Sequence, residues 1–238
     1  MTERAAPTAR AEGPSYTRRV AGRSTKKTMT RIAYTTLRDE ILSLRLTANQ
    51  PLIETEISQM LDMSKTPVRE ALLMLSRDGL VELNDFRGAR VSDLSSADAR
   101  EIYQLRVVLE PLALRLSHAN STAADYATLR TVLADARGAA ERGDRAQLAA
   151  LNREFHFGLV ARCGNERLLT ILRRFSDQVR LISMRVWVSH PSFGDEALEH
   201  AAILGAVADG DDADRAAELL RSHIADFAQR IVGPTTCR

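Results

Sequence analysis

The chain has 238 residues, 45% of them hydrophobic and 27% charged, a balance that excludes a disordered polymer and a membrane-embedded protein and allows two modest domains. No apolar run approaches the roughly 18–20 residues of a membrane span, and MTERAAPTAR lacks the apolar segment of a secretory signal. The net charge of +2 and two cysteines, Cys163 and Cys237, with neither a disulfide framework nor a Cys-x-x-Cys metal pair, lead us to expect a cytoplasmic protein.

The charge is unevenly spread. Residues 1–30 carry seven Lys/Arg against two acids, whereas 31–95 carry eight against ten and 96–238 carry eighteen against nineteen. Residues 1–29 are therefore read as a disordered basic tail adding sequence-independent attraction to phosphate, or as a solvated tail with no role.

Helical signals dominate the rest. Leu37, Ile41 and Leu44 place an amphipathic helix over about 30–45. Leu46–Pro51 reads as a turn in which Asn49 takes the left-handed backbone. Ile57, Met60 and Leu61 mark a short second helix from near Glu54. Ser64 caps a third, with Pro67 in its first turn, Val68, Leu72 and Leu75 inward, and Gly79 at its end. Two short apolar runs around Asn84–Gly88 form a β-hairpin.

From Ser95 the pattern is helix after helix. Ser95 and Asp98 form a capping box for a helix whose apolar positions are Ile102, Leu105, Leu109 and Leu112. Further helices are expected over about 122–142, 145–162, 166–188, 196–209 and 213–231. The fold class is thus mainly α: a winged helix-turn-helix over 30–95, then an all-α antiparallel helical bundle over 96–234.

In a winged helix-turn-helix the N-terminal half of the recognition helix enters the major groove. Here it exposes Ser64, Lys65, Thr66 and Arg69. Lys and Arg read guanine edges, and hydroxyls reach phosphates or bases. At the hairpin, Arg87 and Arg90 flank Gly88, placed for the minor groove or the backbone. Arg38 on the first helix joins this set. A helical hairpin whose charges merely solvate it is the competing reading.

Met63-Ser64-Lys65-Thr66-Pro67-Val68-Arg69-Glu70-Ala71-Leu72, with Leu75, Asp78-Gly79-Leu80-Val81 and Arg87-Gly88, resembles the signature of the GntR family of bacterial regulators. The resemblance covers about 31–93. It implies Lys65 and Arg69 as the base-reading pair, with Ser64, Thr66 and Gly88 at the backbone and minor groove. The sequence departs from the family at Ala48-Asn49, where Pro-Gly is usual.

Residues 96–234 resemble the FCD domain of the FadR-like subgroup through Arg106-x-x-Leu109-Glu110, Asn152-x-x-Phe155-His156-x-x-Leu159, Glu199-His200-x-x-Ile203 and His223-Ile224. Asn152 and His156, four apart, share one helix face. His200 and His223 lie among apolar residues on two later helices, so three imidazoles are expected to converge, a set suited to Zn, Ni or a similar divalent ion. Structural core histidines are the alternative. The resemblance implies a metal held by an Asp and three His. Here the Asp position is Asn152, a neutral and weaker donor, so either weaker metal binding or histidines serving only a ligand pocket follows. Arg106 is a candidate anchor for a carboxylate effector, against a helix-surface pair with Glu110.

The expected function is transcriptional control, more often repression, of double-stranded operator DNA by a homodimer responding to a small organic acid. A His₃ metal-dependent hydrolase fused to a DNA-binding module is a weaker alternative, since no Ser-His-Asp or His-Glu-x-x-His pattern occurs. A ligand-independent DNA-binding protein is another.

Overall fold

The computed structural model describes residues 16–84, 88–189 and 193–232. The helices are α1 (Tyr16–Leu42), α2 (Glu54–Met60), α3 (Lys65–Arg77), α4 (Ser96–His118), α5 (Ala123–Glu141), α6 (Arg145–Val160), α7 (Glu166–Ser189), α8 (Phe193–Ala208) and α9 (Ala213–Val232). The strands are β1 (Pro51–Leu52), β2 (Val81–Asn84) and β3 (Gly88–Val91). The protein is mainly α, as expected, and no helix among the described residues is long and apolar enough to cross a membrane.

The N-terminal part packs α1 on α3 and α2 on α3. Leu37, Ile41 and Leu42 of α1 meet Val68, Leu72 and Leu75 of α3 in one core. The three strands form an antiparallel sheet in the order β1-β3-β2. β1 was not anticipated; at two residues, it is set by pairing Pro51 with Arg90 and Leu52 with Ala89, not by local periodicity. Asn49 has φ +64°, as the turn reading required. Leu44 is a correction: helix α1 ends at Leu42, and Leu44 turns to φ +60° and is exposed. The tail reading is also corrected in part. Residues 1–15 lie outside the described residues, but 16–29 belong to α1, where Gly22 alone interrupts a run free of proline.

Helices α4–α9 form the second part. Helix α4 packs extensively along α9 and also meets α6 and α7; α5 pairs with α6 and α8, and α8 with α9. The Ser95 capping box is present, with Asp98 N–H donating to Ser95 Oγ and the Ser95 N–H to Asp98 Oδ2. Pro111 sits inside α4 and removes the N–H that would bond the Val107 carbonyl. Arg221 of α9 takes that place, its Nη1 donating to Val107 O at 3.3 Å.

The inward face of α4 differs from the expectation. Ile102 is buried, but Leu105 and Leu112 are 47% and 46% exposed, while Tyr103, Arg106, Glu110 and Leu114 are buried. Leu105, Val108, Leu112 and Leu116 instead line the outer side of α4.

Helix α7 joins the two parts. Arg38 of α1 grips Asp177 through Nε and Nη2 at 2.5 and 2.6 Å. Arg185 Nη1 donates to Leu94 O at 2.8 Å. Gln178 Nε2 approaches Gly79 O at 3.5 Å. Gly79 has φ +70°, a backbone that favours glycine, whereas a Cβ there would displace only the flexible end of the Gln178 side chain.

Candidate functional site

The start of α3 presents Ser64, Lys65, Thr66 and Arg69 together, all exposed, while Pro67 and Val68 face the core. Ser64 occupies the N-cap position but its hydroxyl makes no capping bond. Arg69 is held across the helix-turn-helix by Glu54, with Nε and Nη2 donating to its carboxylate at 2.9 and 2.8 Å. That pair is exposed and so costs little to open. Gly88 begins β3 at φ +73° with open space around it, and Arg90 leans on Glu82 of the paired strand. Arg87 lies outside the described residues. Arg38 is a correction: its guanidinium is spent on Asp177 rather than lying on the exposed α3 surface, because it faces α7, an element no local pattern reveals.

The second cluster lies inside the helical part. His156 of α6, His200 of α8 and His223 of α9 are all buried and their candidate ligand atoms lie within 4.8 Å of one another. Two carboxylates set ring orientation. The His156 Nδ1–H donates to Glu110 Oε2 at 2.9 Å, and His223 Nδ1–H to Glu199 Oε2 at 2.5 Å. An imidazole that donates from Nδ1 keeps the Nε2 lone pair available. His200 Nε2 and His223 Nε2 are 3.1 Å apart. Two nitrogens bound to one ion at about 2.0–2.1 Å are separated by roughly 2.9–3.4 Å for angles between 90 and 109°, so this spacing fits a shared cation as well as a direct N–H···N bond. Neither Glu110 nor Glu199 was singled out as a ligand orienter from the sequence. The available signal was the four-residue step from Arg106 to Glu110, which puts both on the face of α4 that meets His156.

Asn152, one turn before His156, has a buried Oδ1 with no hydrogen-bond partner among the described residues. It lines both small cavities at the cluster, of about 30 and 10 Å³, together with Arg106 and His156. Volumes of this order admit a water-sized group. An orphaned amide oxygen beside three imidazoles is the donor set that a divalent cation takes, and the residues fit one.

Charge in this core is tightly matched. Burial alone would raise the Glu110 carboxyl, but the charge of Arg106 and the hydrogen bonds from His156 and Arg106 outweigh it and hold Glu110 well below the usual carboxylate range. Burial pushes His156 down to about 4 against the pull of Glu110, and burial followed by the neighbouring histidines pushes His200 well below its ordinary value. Both rings are therefore neutral near pH 7, the form that binds metals. Arg106 is corrected as a ready anchor: Nε donates to Glu110 Oε1 at 2.5 Å and the guanidinium lies 4.6 Å over the Tyr103 ring. The pair anticipated as a surface alternative exists, but it is buried, because α4 turns this face inward.

The sequence and the fold are similar to those of known proteins. The bacterial regulatory protein gntR family matches residues 30–91, and the FCD domain matches residues 101–226. The Nta operon transcriptional regulator of Aminobacter aminovorans is 30% identical over 181 residues, covering 75% of this chain and 83% of that protein. The transcriptional repressor RspR of Escherichia coli is 27% identical over 205 residues, covering 83% and 86%. The crystal structure of a GntR transcriptional regulator from Rhodococcus sp. RHA1 superposes with a TM-score of 0.76 at 26% identity, over 87% of this chain and 99% of that one. The hydrolase alternative falls with these matches, since the family and the relatives are regulators of transcription. An N-terminal winged helix exposing a basic recognition surface, joined to a helical domain with a buried histidine centre, thus carries a family identity along most of its length: the chain belongs to the GntR family of transcriptional regulators and carries an FCD domain.

Proposed function

We propose that this regulator is a homodimeric repressor whose operator binding responds to a small organic acid at a divalent-metal centre formed by His156, His200, His223 and Asn152. The observation that supports this most is the buried triad, two of whose rings are oriented by carboxylates, beside the partnerless Asn152 oxygen. A bound ion would supply a positive, Lewis-acidic contact for a carboxylate. Asn152 would contribute a neutral oxygen, Glu110 and Glu199 would fix the rings, and Arg106 would raise the local positive potential. Helix α7 lines the larger cavity with Leu172, Phe175 and Val179 and grips the DNA-binding part through Asp177, so a ligand preferring one placement of α7 shifts the population that fits DNA.

The dimer reading is supported by the outer stripe of α4. Leu105, Val108, Leu112 and Leu116 are 47%, 56%, 46% and 41% exposed and recur at steps of three and four, one face of a single helix. A stripe of this kind on a water-facing helix suits self-complementary burial against a second copy, and two recognition helices read two half-sites.

Elemental analysis and calorimetric zinc titration of protein purified without chelator test the centre. One ion per chain is expected; His200→Ala should abolish uptake, and Asn152→Asp, which restores a carboxylate, should tighten it at least tenfold. A wild type with no titratable site would overturn the metal reading.

Acid should destabilise the metal-free protein. The unfolded chain protonates His156 and His200 near 6.5, whereas in the folded state both are depressed, His156 to about 4. Stability is therefore full above about 6.5 and falls as pH drops through the window toward 4, by up to about 1.4 kcal/mol per pH unit for each histidine. Urea midpoints at pH 7.5 and 5.5 in the presence of chelator check this, and His156→Gln should lessen the difference between them. Equal midpoints for the wild type would contradict it.

On operator selected from random DNA, Arg69→Ala should lose about 1–3 kcal/mol and relax preference at one position per half-site; unchanged affinity and preference would remove Arg69 from the recognition set. Leu112→Glu should convert the dimer to monomer in light scattering while leaving the zinc stoichiometry intact, and a wild type that is already monomeric at micromolar concentration would exclude the α4 interface.

A further inference from the structure

A second, larger space lies where the two parts meet, and neither the histidine centre nor the recognition helix uses it. It is a cleft of about 550 Å³, walled on one side by Tyr34, Thr35 and Arg38 of α1 and on the other by Arg153 of α6 and Arg173, Arg174 and Asp177 of α7. Its lining holds four arginines against two aspartates. Both aspartates are engaged: Asp177 by Arg38, and Asp78 by the Tyr34 hydroxyl, which donates at 2.7 Å.

The positive excess is not neutralised from within. Arg153 Nε is buried without a hydrogen-bond partner, since Asp177 Oδ1 stands 3.7 Å away. Arg180, next to the same aspartate on α7, has a buried Nε in the same condition. Its guanidinium is pushed below its ordinary range, first by burial and then by the charge of Arg38. Arg173 lies over the Phe157 ring at 5.2 Å and 3.6 Å from Glu166. Arg174 is exposed and makes no ion pair among the described residues. The Arg153 Nε is a buried guanidinium N–H without an acceptor among the described residues, which costs free energy, and together with the exposed Arg173 and Arg174 it makes the cleft the complement of an oxyanion.

We propose that this interdomain cleft binds the phosphate group of a small metabolite, with Arg153, Arg173 and Arg174 as its donors. A phosphate monoester carries about −1.5 to −2 charges at neutral pH, which matches the excess of two arginines in the lining. The space is of the size that holds a small organic ligand, and Thr35, Thr170 and Ser176 offer hydroxyls to its uncharged part. A DNA phosphate fits less well. Asp78 follows the end of α3, whereas Lys65 and Thr66 open it, a separation of roughly 20 Å along a 13-residue helix. Because walls from both parts form the cleft, occupancy bears on how the DNA-binding part is held. The site shares only Arg153 and Ser176 with the small cavity at the histidine centre.

Calorimetric titration of the full chain with inorganic phosphate, at ionic strength held constant with chloride, tests this. Saturable binding at one site per chain is expected, with a phosphate-dependent rise in Tm. Arg174→Gln should weaken it at least tenfold, and Arg173→Gln combined with Arg174→Gln should abolish both the heat and the rise in Tm. Both arginines are exposed, so the variants retain the fold, which the melting curve in phosphate-free buffer records. No saturable heat in the wild type, or unaltered binding in the double variant, would overturn the proposal. Loss in Lys65→Ala or His200→Ala instead would place the ion on the recognition helix or the histidine centre, and would overturn it equally.

Discussion

The helical domain is organised around one constraint: Glu110 is buried, and a buried carboxylate must be paired. Arg106 takes one oxygen and His156 the other, so one side chain neutralises a buried cation and sets a ring's tautomer. Removing Arg106 would strand a charge in a low-dielectric core, which costs far more than an intact pair contributes, and removing His156 would leave one carboxylate oxygen without its donor. That requirement turns the charged face of α4 inward and its leucines outward. It brings His156 into register with His200 and His223 and directs its Nε2 toward them. The histidine centre and the apolar outer stripe are thus two consequences of one buried pair.

Helix α7 carries the corresponding logic between the two parts. Its apolar residues line the cavity beside Arg106 and Asn152, while Asp177, Gln178 and Arg185 reach Arg38, Gly79 and Leu94. The Arg38–Asp177 pair is bidentate and largely shielded from water, so it has more orienting power than the exposed pairs of the wing and recognition helix. A helix with both sets of contacts is the element through which the proposed effector response would pass, since close-packed interiors transmit strain.

The DNA-binding part was legible because its information is local: the Val68, Leu72 and Leu75 spacing, the Asn49 and Gly79 backbones and the Ser64–Arg69 run each act within a few residues. The helix order and most boundaries from 96 onward followed from the same signals. Three things were not legible, each for a physical reason. Leu105 and Leu112 read as core because an apolar stripe on the outer face of a helix and one on its inner face look alike in the sequence. The role of Arg38 depends on Asp177, 139 residues away, and no periodicity encodes that contact. The two carboxylates behind the histidines were hidden because acidic residues in helices ordinarily face water. The convergence of the three histidines was legible from their placement among apolar residues on three helices, while the part assigned to position 152 beside them came from the family resemblance.

The substitution of Asn at position 152 gains meaning from the charges around it. Arg106 balances Glu110, while Glu196 and Glu199 share Arg230 at 3.4 and 3.9 Å, so the protein's own charges near the histidines come to about −1. On the proposed metal reading, an ion of charge +2 would leave the centre near neutral with an aspartate at 152 and near +1 with asparagine. The same change that weakens attraction for the cation therefore strengthens the attraction of the loaded centre for an anion. Coulomb energy grows with the product of the charges and is larger in a poorly solvated core than at the surface. If the proposed centre senses an organic acid, the asparagine raises its sensitivity to the acid at the expense of its hold on the metal. On this view Asn152 shifts affinity from the cofactor to the ligand.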